Sequence, residues 1–437
     1  MSVQPPAEPV PIAVRGDVDP RAIEQLVTCA QAGGAVRGVL CADGHVGYSQ
    51  PIGGAVAYPE HISPSGVGYD IACGNKAVRT DVLVDDLRRD LPRVMDEIFD
   101  RISFGVGRKN DEPVDHPVLD RIRQADFAPQ RALADGAAKQ LGTVGAGNHY
   151  VDLFAGDDGR VWVGVHFGSR GFGHKTASGF LAIAEGRSFE DRVGEAEMDS
   201  PPKLLRVDSE AGQAYIAAME LAGEYAYAGR DVVVDRVLEI LGARADYAVH
   251  NHHNFAWRER HFDTDVWVVR KGCTPAFPGQ EGFVGATMGE PSVILRGVES
   301  EASAGLLYST VHGAGRVMSR TQAAGKRRKR WTCPKGHWWQ GRGVEKPSDG
   351  RCPECGARLA KAWQLLSPGR VDFAAVRSEL AGAGVELRGG AADEAPEAYK
   401  RLDAVLESHA DTVEVLHRLE PIGVAMAGAD TYDPYKD

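Results

Sequence analysis

The feature that most constrains this chain is a double ligand pair, Cys333-Pro-Lys-Gly-His337 followed by Cys352-Pro-Glu-Cys355. Two short-spaced pairs of soft ligands joined by a loop can close a tetrahedral site on one zinc ion, and four protein ligands leave no position open for chemistry. The stretch around them breaks with the rest of the chain. It opens with Lys326-Arg327-Arg328-Lys329-Arg330 and closes before LSPGRVDF. A piece of about 40 residues buries too little apolar surface to fold alone, so a structural metal supplies what packing cannot. Residues 326–367 are therefore expected to form an inserted zinc-ribbon-like subdomain held by Cys333, His337, Cys352 and Cys355, with His337 the weakest ligand. The alternative is four unrelated reduced residues in a loop. The basic run, with Trp331, Trp338 and Trp339, suits a nucleic-acid backbone and stacked bases as well as it suits a solvated charged face.

Residues 1–325 and 368–437 then make the main body, with VMSRTQA and DFAAVRSELAGAG as helical pieces that would run together without the insertion. Asp19 and Pro20 read as the cap and first turn of a helix over 19–34 that stops at Gly33-Gly34. Helical patterning recurs over 85–101, 117–141 and 211–242, whereas 39–84, RVWVGVHFG at 160–168 and DVWVVRKG at 265–272 read as strands and turns. The fold class is α+β: one catalytic domain of mixed β-sheets with surrounding helices, plus the small insertion.

A formal charge of -11 argues against a surface coated with cations, so any RNA site must be a local patch. The N-terminal MSVQPPAEPVPIAV lacks the pattern of a secretion signal and no apolar run approaches membrane-spanning length. A cytoplasmic location without membrane association is expected. There the seven cysteines should be reduced, with Cys29 and Cys41 as core thiols.

A second set of ligand-type residues is dispersed through SPSGVGYDIACG, GTVGAGNHY, VHFGSRGFGH, HNHHNFAWRE and STVHGAGRVMSRT. Any one of these histidines is more often structural than functional; five such Gly- or Asn-rich segments together are another matter. Imidazole, carboxylate and thiolate together suit first-row divalent ions. In HNHHNF, His250, His252 and His253 are all candidates.

These segments, with ADGHVGYSQPIGG, RKGCTPAFPGQ and EAPEAYKRLD, resemble the RtcB family of RNA-splicing ligases in order and wording, from about residue 37 to 428 except for the insertion. The resemblance implies a GTP- and manganese-dependent enzyme that joins an RNA 3'-phosphate or 2',3'-cyclic phosphate to a 5'-hydroxyl, in RNA repair or tRNA splicing. It implies Cys73 as a thiolate bridging two Mn2+ ions, Asp70 and His149 completing one shell, and His166 and His253 the other, with His252 the runner-up to His253. His312 is the implied nucleophile that carries GMP, oriented by Asp43. Asn148, Asn254, Gly285, Ala286, Thr287, Met288, Ser292, Gly313, Ala314 and Gly315 are implied for nucleotide binding, and Arg170 and Arg316 for gripping RNA or triphosphate oxygens, unless either arginine is a structural ion pair.

Two positions depart from the family pattern. Asp152 stands where the family has a glutamate reading guanine, and Met426 where it has a nucleotide-contacting lysine. The implied partners are RNA with those end groups and an archease-like activator, and the expected state is a monomer or weak oligomer. Two other readings compete: a metal-dependent RNA-end phosphoesterase without ligation, and a non-catalytic RNA-binding module organised by the ribbon.

Overall fold

The computed structural model describes residues 9–191, 198–341, 343–429 and 431. Two sheets organise it. A five-stranded sheet runs in the order Ile12–Val14, Arg37–His45, Ile52–Tyr58, Thr264–Lys271, Asn254–His261. An eight-stranded sheet runs Glu281–Val284, Ser292–Gly297, Val413–Gly428, Tyr150–Gly156, Arg160–Phe167, Gly74–Leu83, Ala245–His252, and Glu386–Gly390 pairs in parallel with the long strand Val413–Gly428. With 13 α-helices around them among the described residues, the class is mixed α and β, as expected.

The helices form where caps and periodicity agree. Asp19 accepts from the Arg21 amide to start the helix Pro20–Ala32. The longest helix, Glu210–Leu241, opens with Ser209 accepting from the Gly212 amide and ends at Gly242, whose φ of 63° suits a residue with no Cβ. Its buried residues Tyr215, Ala218, Met219, Ala222, Ala226, Val233 and Val237 recur at helical spacing. The first of these pack with Leu26, Val56, Tyr58, Phe172, Phe180 and Val269 against the five-stranded sheet. Val233 and Val237 instead join Val94, Met95, Ile98, Val151, Val163 and Val165 of the large sheet and the helix Leu91–Arg101. One helix thus braces both sheets.

The region read as helical over 117–141 is three short helices, Pro117–Arg123, Ala128–Arg131 and Ala134–Gln140. Pro129 has no amide hydrogen to give and its ring crowds the carbonyl four residues earlier, so the helix Pro117–Arg123 cannot run on through it, and Pro129 instead sits in the first turn of a new helix. Helices Arg320–Ala324 and Phe373–Gly382 flank the insertion as separate pieces, joined at its neck by backbone bonds from Arg370 to Gln322 (2.9 Å) and Val371 to Ala323 (3.2 Å). Lys326–Thr332 and Ala360–Ser367 pair with each other in their own two-stranded sheet. Among the described residues no helix is long and apolar enough to cross a membrane.

The chain passes from the large sheet to the small one at a single residue. Ala245–His252 ends in the large sheet, Asn254–His261 begins in the small one, and His253 lies between them with its amide donating to the Cys73 carbonyl at 2.9 Å.

Candidate metal and nucleotide site

The turn Asp70-Ile71-Ala72-Cys73 is closed by the Cys73 amide donating to the Asp70 carbonyl at 3.0 Å, with Ala72 at φ 59° and its amide donating to Asn254 at 2.7 Å. A non-glycine residue in left-handed backbone costs on the order of 1 kcal/mol and persists where the surroundings fix it. Here it aims the Asp70 carboxylate and the Cys73 thiol into one space. The carboxylate fits because residue 168 is glycine: a Cβ there would lie 2.3 Å from an Asp70 oxygen.

Around Cys73 the structure gathers His149, His166 and His253. Sγ lies 3.6 Å from His149 Nε2 and 3.4 Å from His166 Nε2, and His149 Nε2 lies 3.1 Å from an Asp70 oxygen. The His166 and His253 rings stack at 5.1 Å. Ligand atoms of Cys73, His166 and His253 lie within 4.8 Å of one another, as do those of Asp70, Cys73 and His149. Two triads share one thiol, a donor set suited to two first-row divalent cations.

The protonation states fit the same use. His166 Nδ1 donates to Asn75 Oδ1 at 2.6 Å, and the Asn75 amide is itself fixed by donating to the Phe283 carbonyl at 2.9 Å, so Nε2 keeps its lone pair toward the cluster. Burial pushes His166 and His253 well below the usual imidazole range, which keeps both neutral. Burial also pushes the Cys73 thiol up, and the nearby Asp70 charge adds to it. A thiolate at that place needs a cation beside it.

Of the three adjacent histidines, His253 is the one that joins the cluster. His250 and His252 face the long helix, where Arg230 donates from Nε to His250 at 2.8 Å and lies 2.9 Å from His252 Nδ1. Arg230 is fully buried, also donates to the carbonyls of Ala72 (3.1 Å) and Phe167 (2.6 Å), and is pulled down to about 10 by burial. It therefore clamps both the Asp70–Cys73 turn and the end of the His166 strand. Nothing in its local sequence marks it, since it sits in an ordinary helical repeat. Arg230→Met should leave four polar partners unsatisfied and lower unfolding free energy by about 3 kcal/mol or more, measured by denaturant unfolding of the chain. A variant as stable as wild type would remove this role.

His312 stands beside the cluster, its ring 5.0 Å from that of His253. Its Nδ1 lies 2.6 Å from an Asp43 oxygen, and its backbone amide donates to the same oxygen at 3.0 Å. Burial alone would raise the Asp43 carboxyl, but the charge and hydrogen bonds of His312 outweigh it and hold the group below its ordinary value. A carboxylate on Nδ1–H leaves Nε2 as the basic nitrogen. The Gly313-Ala314-Gly315 turn passes close behind: Gly315 has φ 79°, and a Cβ there would lie 2.3 Å from the Asp43 carbonyl oxygen.

Cluster and His312 open on one cavity of about 340 Å3, large enough for a nucleotide-sized ligand. Asn148, Asp152, Asn254, Gly285 to Met288, Gly313 to Gly315 and Met426 line it. Ser292 does not; it accepts from the Ala286 amide at 3.0 Å and shapes that turn. Asn254 is occupied at both ends, by the Asp70 carbonyl (3.4 Å) and the Gly272 amide (2.7 Å). Asp152 and Met426 come from neighbouring strands, with Val424 opposite Asp152 and Met426 opposite Tyr150. Burial pushes the Asp152 carboxyl well above its ordinary value, and one of its oxygens has no partner among the described residues.

The two arginines part company. Arg316 lines the cavity, but its guanidinium is held by Tyr399 Oη (2.7 Å), the Asp393 carbonyl (2.6 Å) and Glu394 (3.4 Å). Arg170 lines a second cavity of about 650 Å3 together with Lys109, Lys139, Lys175 and Arg320. The two cavities share Asp70, Asn148, His149 and Arg320, so a basic groove adjoins the metal cluster. Sequence reading missed this groove, and also Lys271 in the lining of the first cavity. Lys271 is brought down to about 8 by burial and donates to the carbonyls of Tyr48 (2.6 Å) and Gln50 (3.2 Å). RKGCTPAFPGQ was the available signal for Lys271 and VHFGSRGFGH directly precedes Lys175, while Lys109 and Lys139 come from segments with no motif.

Away from this site, Cys333, His337, Cys352 and Cys355 bring their ligand atoms within 4.8 Å of one another at the tip of the insertion.

Comparison with known proteins agrees with the geometry. The family model described as tRNA-splicing ligase RtcB matches residues 25–128 and 120–352. The chain is 29% identical to the tRNA-splicing ligase RtcB of Thermococcus kodakarensis, over 93% of this chain and 91% of that protein. It is 29% identical to the RNA-splicing ligase RtcB of Escherichia coli K12, over 87% of each, and 30% identical to the RNA-splicing ligase RtcB of Mycobacterium tuberculosis, over 91% of this chain and 99% of that protein. A cavity shared by a Cys/His/Asp cluster and a carboxylate-oriented histidine, in a chain matched along nine-tenths of its length, places this protein in the RtcB family of tRNA-splicing ligases.

Proposed function

We propose that this protein is an RNA ligase that uses GTP and divalent manganese to join RNA 3'-phosphate or 2',3'-cyclic phosphate ends to 5'-hydroxyl ends, in RNA repair or tRNA splicing. One observation carries the reading: His312 has its Nδ1 committed to Asp43 and faces the same cavity as the two metal triads. A neutral imidazole with a free Nε2 is a nucleophile for an activated phosphorus. In this reading Nε2 forms a bond to the α-phosphorus of GTP, pyrophosphate leaves, and His312 carries GMP. A 2',3'-cyclic phosphate is first opened by water, which breaks its bond to the 2'-oxygen and leaves a 3'-phosphate; GMP then passes to the RNA 3'-phosphate, and attack of the 5'-hydroxyl on that phosphate forms the phosphodiester and releases GMP.

Asp70, Cys73 and His149 would hold one manganese ion, and Cys73, His166 and His253 the other. The ions would supply positive charge to phosphate oxygens at the places where negative charge builds up. The chain's own residues orient the nucleophile, keep His166 and His253 neutral and line the nucleotide cavity. Asp152, Met426 and the turn Gly285 to Met288 would meet the base and sugar; Arg170 and the groove around it would meet RNA phosphates, for which a guanidinium fork is suited. Arg316, bound by Glu394 and Tyr399, would act by fixing the HGAGR turn. The four ligands of the insertion would hold a structural zinc ion.

Joining of two synthetic RNA strands, one ending in a 3'-phosphate and one beginning with a 5'-hydroxyl, tests the reading. Product is expected with GTP and manganese together and not with either alone. Processing of phosphate ends without GTP and without a joined product would favour a phosphoesterase.

A further inference from the structure

The insertion is the most basic part of an acidic chain. Residues 326–367 hold eleven Lys and Arg against three Asp and Glu, while the whole chain carries -11, so positive charge has been concentrated in one place. The same stretch holds four of the seven tryptophans.

The structure turns this composition into a face. Lys326–Thr332 and Ala360–Ser367 form an antiparallel arm in which Arg327 opposes Leu365, Lys329 opposes Trp363 and Trp331 opposes Lys361. Directly opposed residues, two apart along each strand, share one side of the ribbon. One side therefore alternates cations with large apolar groups. Lys329 lies 5.9 Å from the Trp363 ring centre and Lys361 5.4 Å from that of Trp331. Trp363 and Leu365 remain 39% and 54% exposed, and none of Lys326 to Arg330 makes an ion pair among the described residues. An arm built only for solubility has no reason to expose indole and leucine between its charges.

The arm is also rooted at the site. Its first strand follows the helix Arg320–Ala324, which is closed by a Ser319/Gln322 capping box and whose Arg320 lines both cavities. At the neck Gly325 (φ 80°) and Gly369 pass so closely that a Cβ on Gly369 would lie 2.1 Å from the Ala323 carbonyl oxygen. The neck is thus a fixed crossing, and at the far end the Cys333, His337, Cys352 and Cys355 group ties the two strands.

We infer that this arm is a binding site for single-stranded RNA, which takes the part of the substrate lying beyond the ends held at the metal cluster. Unpaired bases stack on exposed indole, whereas duplex bases are already stacked, and the cations between the rings meet the backbone phosphates. The inference rests on the ligase reading only for the polyanion being RNA; its test does not need ligation.

The test is fluorescence anisotropy of the full chain with a labelled 20-nucleotide single-stranded RNA, from low to physiological salt. Arg327→Gln with Lys329→Gln should weaken binding about tenfold and lower the slope of log affinity against log salt by roughly 1 to 1.5, as expected for two lost phosphate contacts on a single strand. Trp363→Ala should weaken binding by at least about fivefold, with Trp363→Phe restoring most of it. Zinc content and covalent labelling by GTP should be unchanged in all of these, which shows that the arm and the core remain folded. Wild-type affinity and salt slope in the variants would overturn the inference and leave the arm to a protein partner. If wild type fails to label with GTP, the ligase reading falls while the arm's RNA affinity is still read.

Discussion

His312→Ala should abolish covalent transfer of label from α-labelled GTP to the protein, and with it all joining of RNA ends. The reason is specific to this side chain: among the described residues lining the cavity, His149, His166 and His253 direct a nitrogen at Cys73 or Asp70, and His45 has its Nδ1 on the Asp43 backbone carbonyl at 3.0 Å, which leaves His312 as the imidazole held by the buried Asp43 carboxylate. Asp43→Asn separates orientation from nucleophilicity. An amide presents either its oxygen or its NH2 to Nδ1, and where NH2 faces the ring the proton is driven to Nε2, so labelling should slow by about 10^2- to 10^4-fold while GTP binding changes little. A His312→Ala protein that labels as well as wild type would end the proposed mechanism. Asp43→Asn at wild-type rate would end the orienting role alone.

The second large effect belongs to the shared thiol. Cys73→Ser removes the one atom common to both triads, and manganese binding read by electron paramagnetic resonance should fall at both sites together. Asn75→Ala provides the graded comparison. It touches no ligand position but frees His166 Nδ1, and loss of such an outer partner costs about 10- to 100-fold in metal affinity, expected at the His166 site and not at the Asp70 site. Two manganese ions bound by Cys73→Ser with unchanged affinity would refute the shared-thiol arrangement. The readout is metal binding itself, so it stands apart from whether the protein ligates RNA.

Much of this site was legible as motifs. Asp70 and Cys73 are three residues apart in one turn, and ADGH and HGAGR each announce a residue of the His312 pair. What no local window contains is the closure between them, since Asp43 and His312 meet at 2.6 Å from 269 positions apart. The HNHHNF histidines show the same limit. Strand alternation places His250 and His252 on one face, but only the step from one sheet to the other at His253, and the arrival of Arg230 from the long helix, decide which imidazole is left for the cluster. Arg316 shows it in reverse: its motif suggested a phosphate grip, and Glu394 and Tyr399, far along the chain, claim the guanidinium.

The fold divides in a similar way. Asp19, Ser209 and Gly242 mark helix ends because capping is chemistry between residues a few positions apart, and the runs at 160–167 and 264–271 become strands because β-branched and aromatic side chains fit a pleated surface. By itself the sequence determined these elements, the ligand types and the basic, tryptophan-rich composition of residues 326–367. Tertiary structure alone decided that the chain passes between the two sheets at His253, that Arg230 is buried to clamp the Asp70–Cys73 turn, that Lys109 and Lys139, which no motif marks, line a groove beside the cluster, and that cations and indoles of the insertion share one face. Local patterns report contacts within a few residues, whereas a site assembled across two sheets depends on pairings whose partners lie hundreds of residues apart.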